Sequence, residues 1–132
     1  MTLNEKDRSE VIKYRIEQAH ETLEEVSFLL KNNRLKLAVN RIYYGMFYIV
    51  SALAVKHRFK TSKHQQLLGW FNKEFIKTGS IPVKFGKMYR DAYSRRNDVD
   101  YGDIYEYVKD DVEEWFKHMQ DFITEVEKHI DL

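Results

Sequence analysis

Two adjacent arginines and an asparagine open the run RRNDVDYGD, residues 95–103. A guanidinium presents a planar fork of donors that matches a phosphate, and an asparagine amide beside it adds a further hydrogen bond. Asp98, Asp100, Asp103 and the phenol of Tyr101 follow within the same stretch. Such a set suits two uses: Arg96 and Asn97 can hold a phosphate, or the arginines can neutralise the aspartates and close the end of a helix. Other chemistry is thinly supplied. The chain has no Gly-x-Gly-x-x-Gly or Gly-Lys-Ser/Thr phosphate loop. It has no cysteine for a disulfide or a thiolate, and no two of its five histidines stand four apart, so neither a metal nor another cofactor is expected. Glu24-Glu25 and Glu113-Glu114 lie beside apolar stripes and read as solvated faces.

The elements that must position these residues are helical. Five glycines and one proline in 132 residues leave little punctuation for a many-stranded fold. Ile12, Ile16, Ala19, Leu23, Val26 and Leu30 recur at alternating spacings of four and three, which predicts an amphipathic helix over about 5–31. Asn32-Asn33 breaks it, so the next helix, about 34–57, returns antiparallel. That second helix is apolar nearly all round, with Leu37, Ala38, Ile42, Tyr44, Gly45, Tyr48, Ala52 and Val55 on several faces. It is expected to be central or covered by a second subunit, with Ala38 and Gly45 admitting another helix closely. Arg41, inside this helix, must find a partner or reach solvent, because an unpaired buried charge is costly.

A short third helix, about 63–77, carries Leu67, Phe71 and Phe75, with Thr61 or Ser62 as its cap and His64 at its start. Pro82 suits the opening of a fourth helix. There Phe85, Tyr89, Ala92 and Arg96 share one stripe, so Arg96 falls on the inward face. Gly102 suits a left-handed stop. The last helix, about 108–130, repeats the alternating pattern through Val108, Val112, Trp115, Met119, Phe122, Val126 and Ile130, and Asp110 and Asp111 complement its dipole. The expected fold is all-α: one domain over residues 1–132, an antiparallel up-and-down four-helix bundle with an additional short helix.

The net charge of +1 hides a strong asymmetry. Residues 56–96 carry 11 basic and 2 acidic side chains, net +9, whereas 97–132 carry 3 basic and 12 acidic, net −9. The basic middle either faces a polyanion or neutralises the acidic C-terminal part. Ile42 to Val55, the most hydrophobic run, spans 14 residues, short of the roughly 20 that a bilayer needs. No signal peptide is visible in the first 20 residues, and a cysteine-free chain suits a cytoplasmic location with no membrane.

The order of "LAVNRIYYGMFYIVSALAV", "TSKHQQLLGWFNKEFIKTGSIP" and "RRNDVDYGD", followed by an acidic helix, resembles the HEPN (higher eukaryotes and prokaryotes nucleotide-binding) domain family, in its small stand-alone prokaryotic branch. The likeness covers nearly the whole chain. It implies a homodimer whose site lies at a cleft between protomers and binds nucleotide or RNA. It also implies a metal-independent endoribonuclease of toxin–antitoxin type, working beside a nucleotidyltransferase partner.

The family signature is arginine, a polar residue, three variable residues and a histidine. Here the arginine is Arg96, the polar residue Asn97, and the histidine position is held by Tyr101. Asp103 stands where such toxins often carry the tyrosine that receives nucleotides from the partner. In that chemistry the RNA 2′-hydroxyl attacks its own phosphorus, a histidine moves protons and an arginine stabilises the phosphate charge. Tyrosine, with an ordinary pKa of about 10, is a poor base at neutral pH. Positions 96 and 101 also lie about 140° apart on a continuous helix, so a bend or stop between them is expected. The resemblance thus assigns Arg96 and Tyr101 to catalysis, and Arg41, Arg95, Asn97, Asp100 and His64 to nucleotide or RNA binding. His64 is also a candidate for the missing imidazole. The alternative is a non-catalytic helical interaction module whose arginines and aspartates are structural.

Overall fold

Asn33 takes a left-handed backbone, φ 56°, and the Asn32 side chain donates to the Phe28 carbonyl at 2.9 Å. Together they end α1 (Glu5–Lys31) and start α2 (Leu35–Lys56) within a few residues, which forces the antiparallel hairpin. The structure, a computed structural model, describes residues 4–101 and 106–130, and of residues 99–101 the backbone alone. Asn4 caps α1 by accepting the Asp7 N–H at 2.8 Å. Arg58, also left-handed with φ 61°, terminates α2.

The third helical stretch departs from the single helix expected over 63–77. It runs as α3 (His64–Phe71) and then widens into a π-helical turn, Asn72–Ile76, closed by Lys77 N–H donating to the Asn72 carbonyl at 2.8 Å. The wider turn lets Phe71, Phe75 and Ile76 all reach the core. Its N-cap is Lys63, which offers no side-chain cap. Thr61 stands two residues earlier, accepting the Lys63 N–H at 3.1 Å and donating to Gln66 Oε1 at 2.5 Å. Gly79, φ 82°, ends this segment, and α4 (Val83–Tyr101) begins immediately after Pro82. The last helix is α5 (Lys109–Glu127). Gly102 and Asp103 lie outside the described residues. The helix α4 is unbroken to Tyr101, so the stop expected between positions 96 and 101 is not there.

All the described secondary structure is helical: a packed bundle with α2 at its centre, touching α1, α3, α4 and α5. Although α2 is long and apolar enough to cross a bilayer, most of it is buried against those neighbours. Its close approach at Gly45 is made within the chain. A Cβ there would lie 2.1 Å from the Met119 Cε of α5, with Thr22 of α1 and Ile123 also near. Gly45 thus admits another helix closely, as expected, and that helix is α5. Aromatic rings tie the core together: Tyr89 lies 5.5 Å from Phe122 and 5.6 Å from Phe71, centroid to centroid.

Candidate functional site

The inward stripe of α4 holds as read: Phe85, Tyr89 and Ala92 are buried, and one turn further Arg96 is half-buried. There α4 and the start of α3 enclose an open cleft of about 720 Å3, lined by Lys63, His64, Gln66, Tyr93, Arg96 and Asn97 among others. The guanidinium of Arg96 rests on aromatic rings, 5.2 Å from the Tyr43 centroid, 5.7 Å from Tyr44 and 5.8 Å from Tyr93. Cation–π contact of this kind fixes a charged group without cancelling its charge.

His64 is the second feature of the cleft. Its Nδ1 lies 2.5 Å from the Tyr43 hydroxyl, and its ring stacks on Phe47 at 4.4 Å with planes only 11° apart. Burial, and then the nearby Arg96 charge, hold the imidazole below its ordinary pKa, so it is neutral at physiological pH. Tyr43 is itself buried, and burial raises its phenol well above the usual range, so its proton stays in place. Behind it the Tyr89 ring stacks at 6.1 Å, 12° from parallel.

The remaining site candidates separate. Asn97 shares the cleft with Arg96 and His64. Arg95 turns to the other side of α4, where its guanidinium lies 3.9 Å over the Trp115 ring of α5. Burial lowers its pKa, and Asp91, Tyr107, Glu114 and Asp111 oppose that shift. Arg41 pairs with Glu25 of α1, Nε to Oε1 at 2.6 Å, and lies over Tyr44 at 5.3 Å and Tyr48 at 6.0 Å. Burial works against its charge, but the bonds to Glu25 and Tyr48 leave its pKa raised. Its carboxylate partner thus comes from α1. Tyr44 carries both guanidinium contacts, which makes Arg41 a flank of the Arg96 site. The Asp100 and Tyr101 side chains lie outside the described residues.

Sequence reasoning gave Tyr43 no role in the site. The signal was available in "RIYYGMFY": a tyrosine on a helix buried all round needs a partner for its hydroxyl.

With this geometry in place, comparison with known proteins gives a consistent result. Residues 12–129 match the HEPN domain family. A UPF0332 protein of Thermotoga maritima is 40% identical over 98% of this chain and 96% of its own length. A Methanocaldococcus jannaschii protein named as a candidate toxin is 34% identical over 87% of this chain and 78% of its own. A UPF0332 protein of Pyrococcus horikoshii is 28% identical over 61% of this chain and 57% of its own.

Proposed function

The chain belongs to the HEPN domain family, and from that premise we propose that it is a cytoplasmic, homodimeric protein that binds the phosphate of a nucleotide or RNA in the cleft between α3 and α4. In its enzymatic form it is a metal-independent endoribonuclease of toxin type, restrained by a nucleotidyltransferase partner. The observation that carries this reading is the meeting of Arg96, Asn97 and His64, from two helices, in one open cleft. The name of the archaeal relative supports the toxin class.

In this reading Arg96 clamps a phosphate oxygen and stabilises the charge that grows there as the 2′-hydroxyl attacks. Its seat on three tyrosine rings holds it in position at the cleft. Asn97 adds a hydrogen bond to the phosphate, and Tyr101 contacts sugar or phosphate as a donor. Arg41 and Asp100 belong to the wider binding surface, Arg95 fastens α4 to α5, and a second protomer closes the cleft.

The competing reading, a non-catalytic interaction module, draws on Arg95 against Trp115 and Arg41 against Glu25, both of which knit helices together. Arg96 separates the two. Purified wild type and Arg96→Ala are incubated with RNA in the presence of a chelator, and mononucleotides and short RNA are titrated calorimetrically. Cleavage or binding lost in Arg96→Ala with the fold intact upholds the site. No binding or cleavage by wild type, together with a large drop in melting temperature for Arg96→Ala, leaves the interaction module.

A further inference from the structure

The family signature places its proton carrier five residues after the arginine, and Tyr101 occupies that position here. An imidazole nevertheless reaches the Arg96 cleft from a different helix. We propose that His64, held by Tyr43, is the general base of this site, so that the proton-transfer role resides on α3 and not on α4. The inference rests on the ribonuclease reading above.

Three features of the geometry carry it. The ring is fixed by two independent contacts, the Tyr43 hydroxyl on Nδ1 and the Phe47 face. Among the described residues Nε2 has no hydrogen-bond partner, and His64 lines the same cleft as Arg96 and Asn97. Tyr43 also spans both halves of the site, since its hydroxyl meets His64 while the Arg96 guanidinium lies 5.2 Å from its ring centroid. One buried side chain therefore sets the distance between the base and the phosphate clamp. A base oriented by a third group is the arrangement that proton transfer requires.

The step balances as follows. With its proton on Nδ1, donated to the Tyr43 oxygen, neutral His64 presents the Nε2 lone pair. Nε2 takes the proton of the RNA 2′-hydroxyl as the 2′-oxygen bonds to phosphorus. The bond from phosphorus to the 5′-oxygen breaks, that oxygen takes a proton from water in the open cleft, and the imidazolium returns its proton to the hydroxide so formed. The products are a 2′,3′-cyclic phosphate and a 5′-hydroxyl end. Among the described residues, the titratable and charged groups facing His64 are Tyr43 and Tyr44 from α2, Tyr93 and Arg96 from α4, and Lys63 beside it in the chain. The positive ones favour the unprotonated base.

The test uses the full chain and a short RNA in chelator, with single-turnover rates measured from pH 5 to 8. His64→Gln is expected to lose about 100-fold or more in rate, while its helical signal and melting remain close to wild type. His64→Ala is expected to recover part of that loss with added imidazole, which a merely structural histidine would not do. Tyr43→Phe is expected to lower kcat at unchanged KM, as befits a positioning residue. Wild-type cleavage matched by His64→Gln at every pH would overturn this assignment and leave the ribonuclease reading standing. No cleavage by wild type would overturn both.

Discussion

Arg95 and Arg96 are neighbours in sequence and leave α4 on opposite errands: the first lies 3.9 Å over Trp115, the second over Tyr43 in the cleft. The helix rotates about 100° per residue, so adjacent positions face different surroundings. One arginine fastens α4 to α5 and the other faces a cavity.

That separation predicts opposite phenotypes. Arg95→Ala is expected to destabilise the fold by about 1–2 kcal/mol, through the lost cation–π contact and stem packing, with nucleotide affinity little changed. Arg96→Ala is expected to weaken RNA or nucleotide binding about tenfold or more, a loss of ~1.4 kcal/mol, while the fold persists. Thermal denaturation and calorimetric titration of both variants check this.

The depressed pKa of His64 has a consequence for stability against pH. The folded state binds a proton at this ring less readily than the unfolded chain does. Above the unfolded value of about 6.5 the ring costs nothing, and stability falls as pH drops below it. The decline levels off once the folded ring also titrates. Urea titrations of wild type and His64→Gln between pH 7.5 and 5 are expected to diverge in that direction, with the variant losing less. A direct NMR titration of the ring should place its midpoint below 6.5.

Glu25 pairs with Arg41 beside Tyr44, whose ring also meets Arg96. Both side chains are partly exposed, so Glu25→Gln is expected to cost under about 1 kcal/mol of stability. The same change leaves one more uncompensated positive charge beside Tyr44. RNA binding is therefore expected to tighten a few-fold, and its dependence on salt to steepen by up to about one unit of slope. Binding titrations at two or more salt concentrations read out both.

Gly45 offers a test of where α2 makes its close contact. Gly45→Leu drives a side chain into Met119 and Ile123 of the same chain, and is expected to destabilise by about 1–3 kcal/mol. Sedimentation of the proposed dimer should show no selective dissociation before unfolding. A stable monomer would indicate that a second copy also relies on this position.

The helices were readable because their apolar stripes are long and regular: Ile12 through Leu30, and Val112 through Ile130, are spaced for one face, and that face is buried or partly buried. Arg96 was readable for the same reason, as the continuation of the Phe85–Tyr89–Ala92 stripe. The division of Arg95 from Arg96, the Glu25 partner of Arg41 and the use of Gly45 by Met119 were not. Each depends on which helix lies opposite, and periodicity along one helix carries no such information. The π-helical turn was hidden too, because Phe71 and Phe75 at a spacing of four fit an ordinary helix equally well. Tyr43 was the larger omission, since its role appears only when α3 brings His64 to its hydroxyl.

The ring of Tyr43 is stacked on Tyr89, which is packed in turn against Phe71 and Phe122, while its hydroxyl grips the imidazole. Interior and reactive edge are thus one mechanical piece. A substitution that relaxes Phe122 is expected to tilt the phenol stack and move His64 from more than one residue away. Selection for a hardier interior would therefore also shift the imidazole that lines the cleft, and neither trait is free to drift alone.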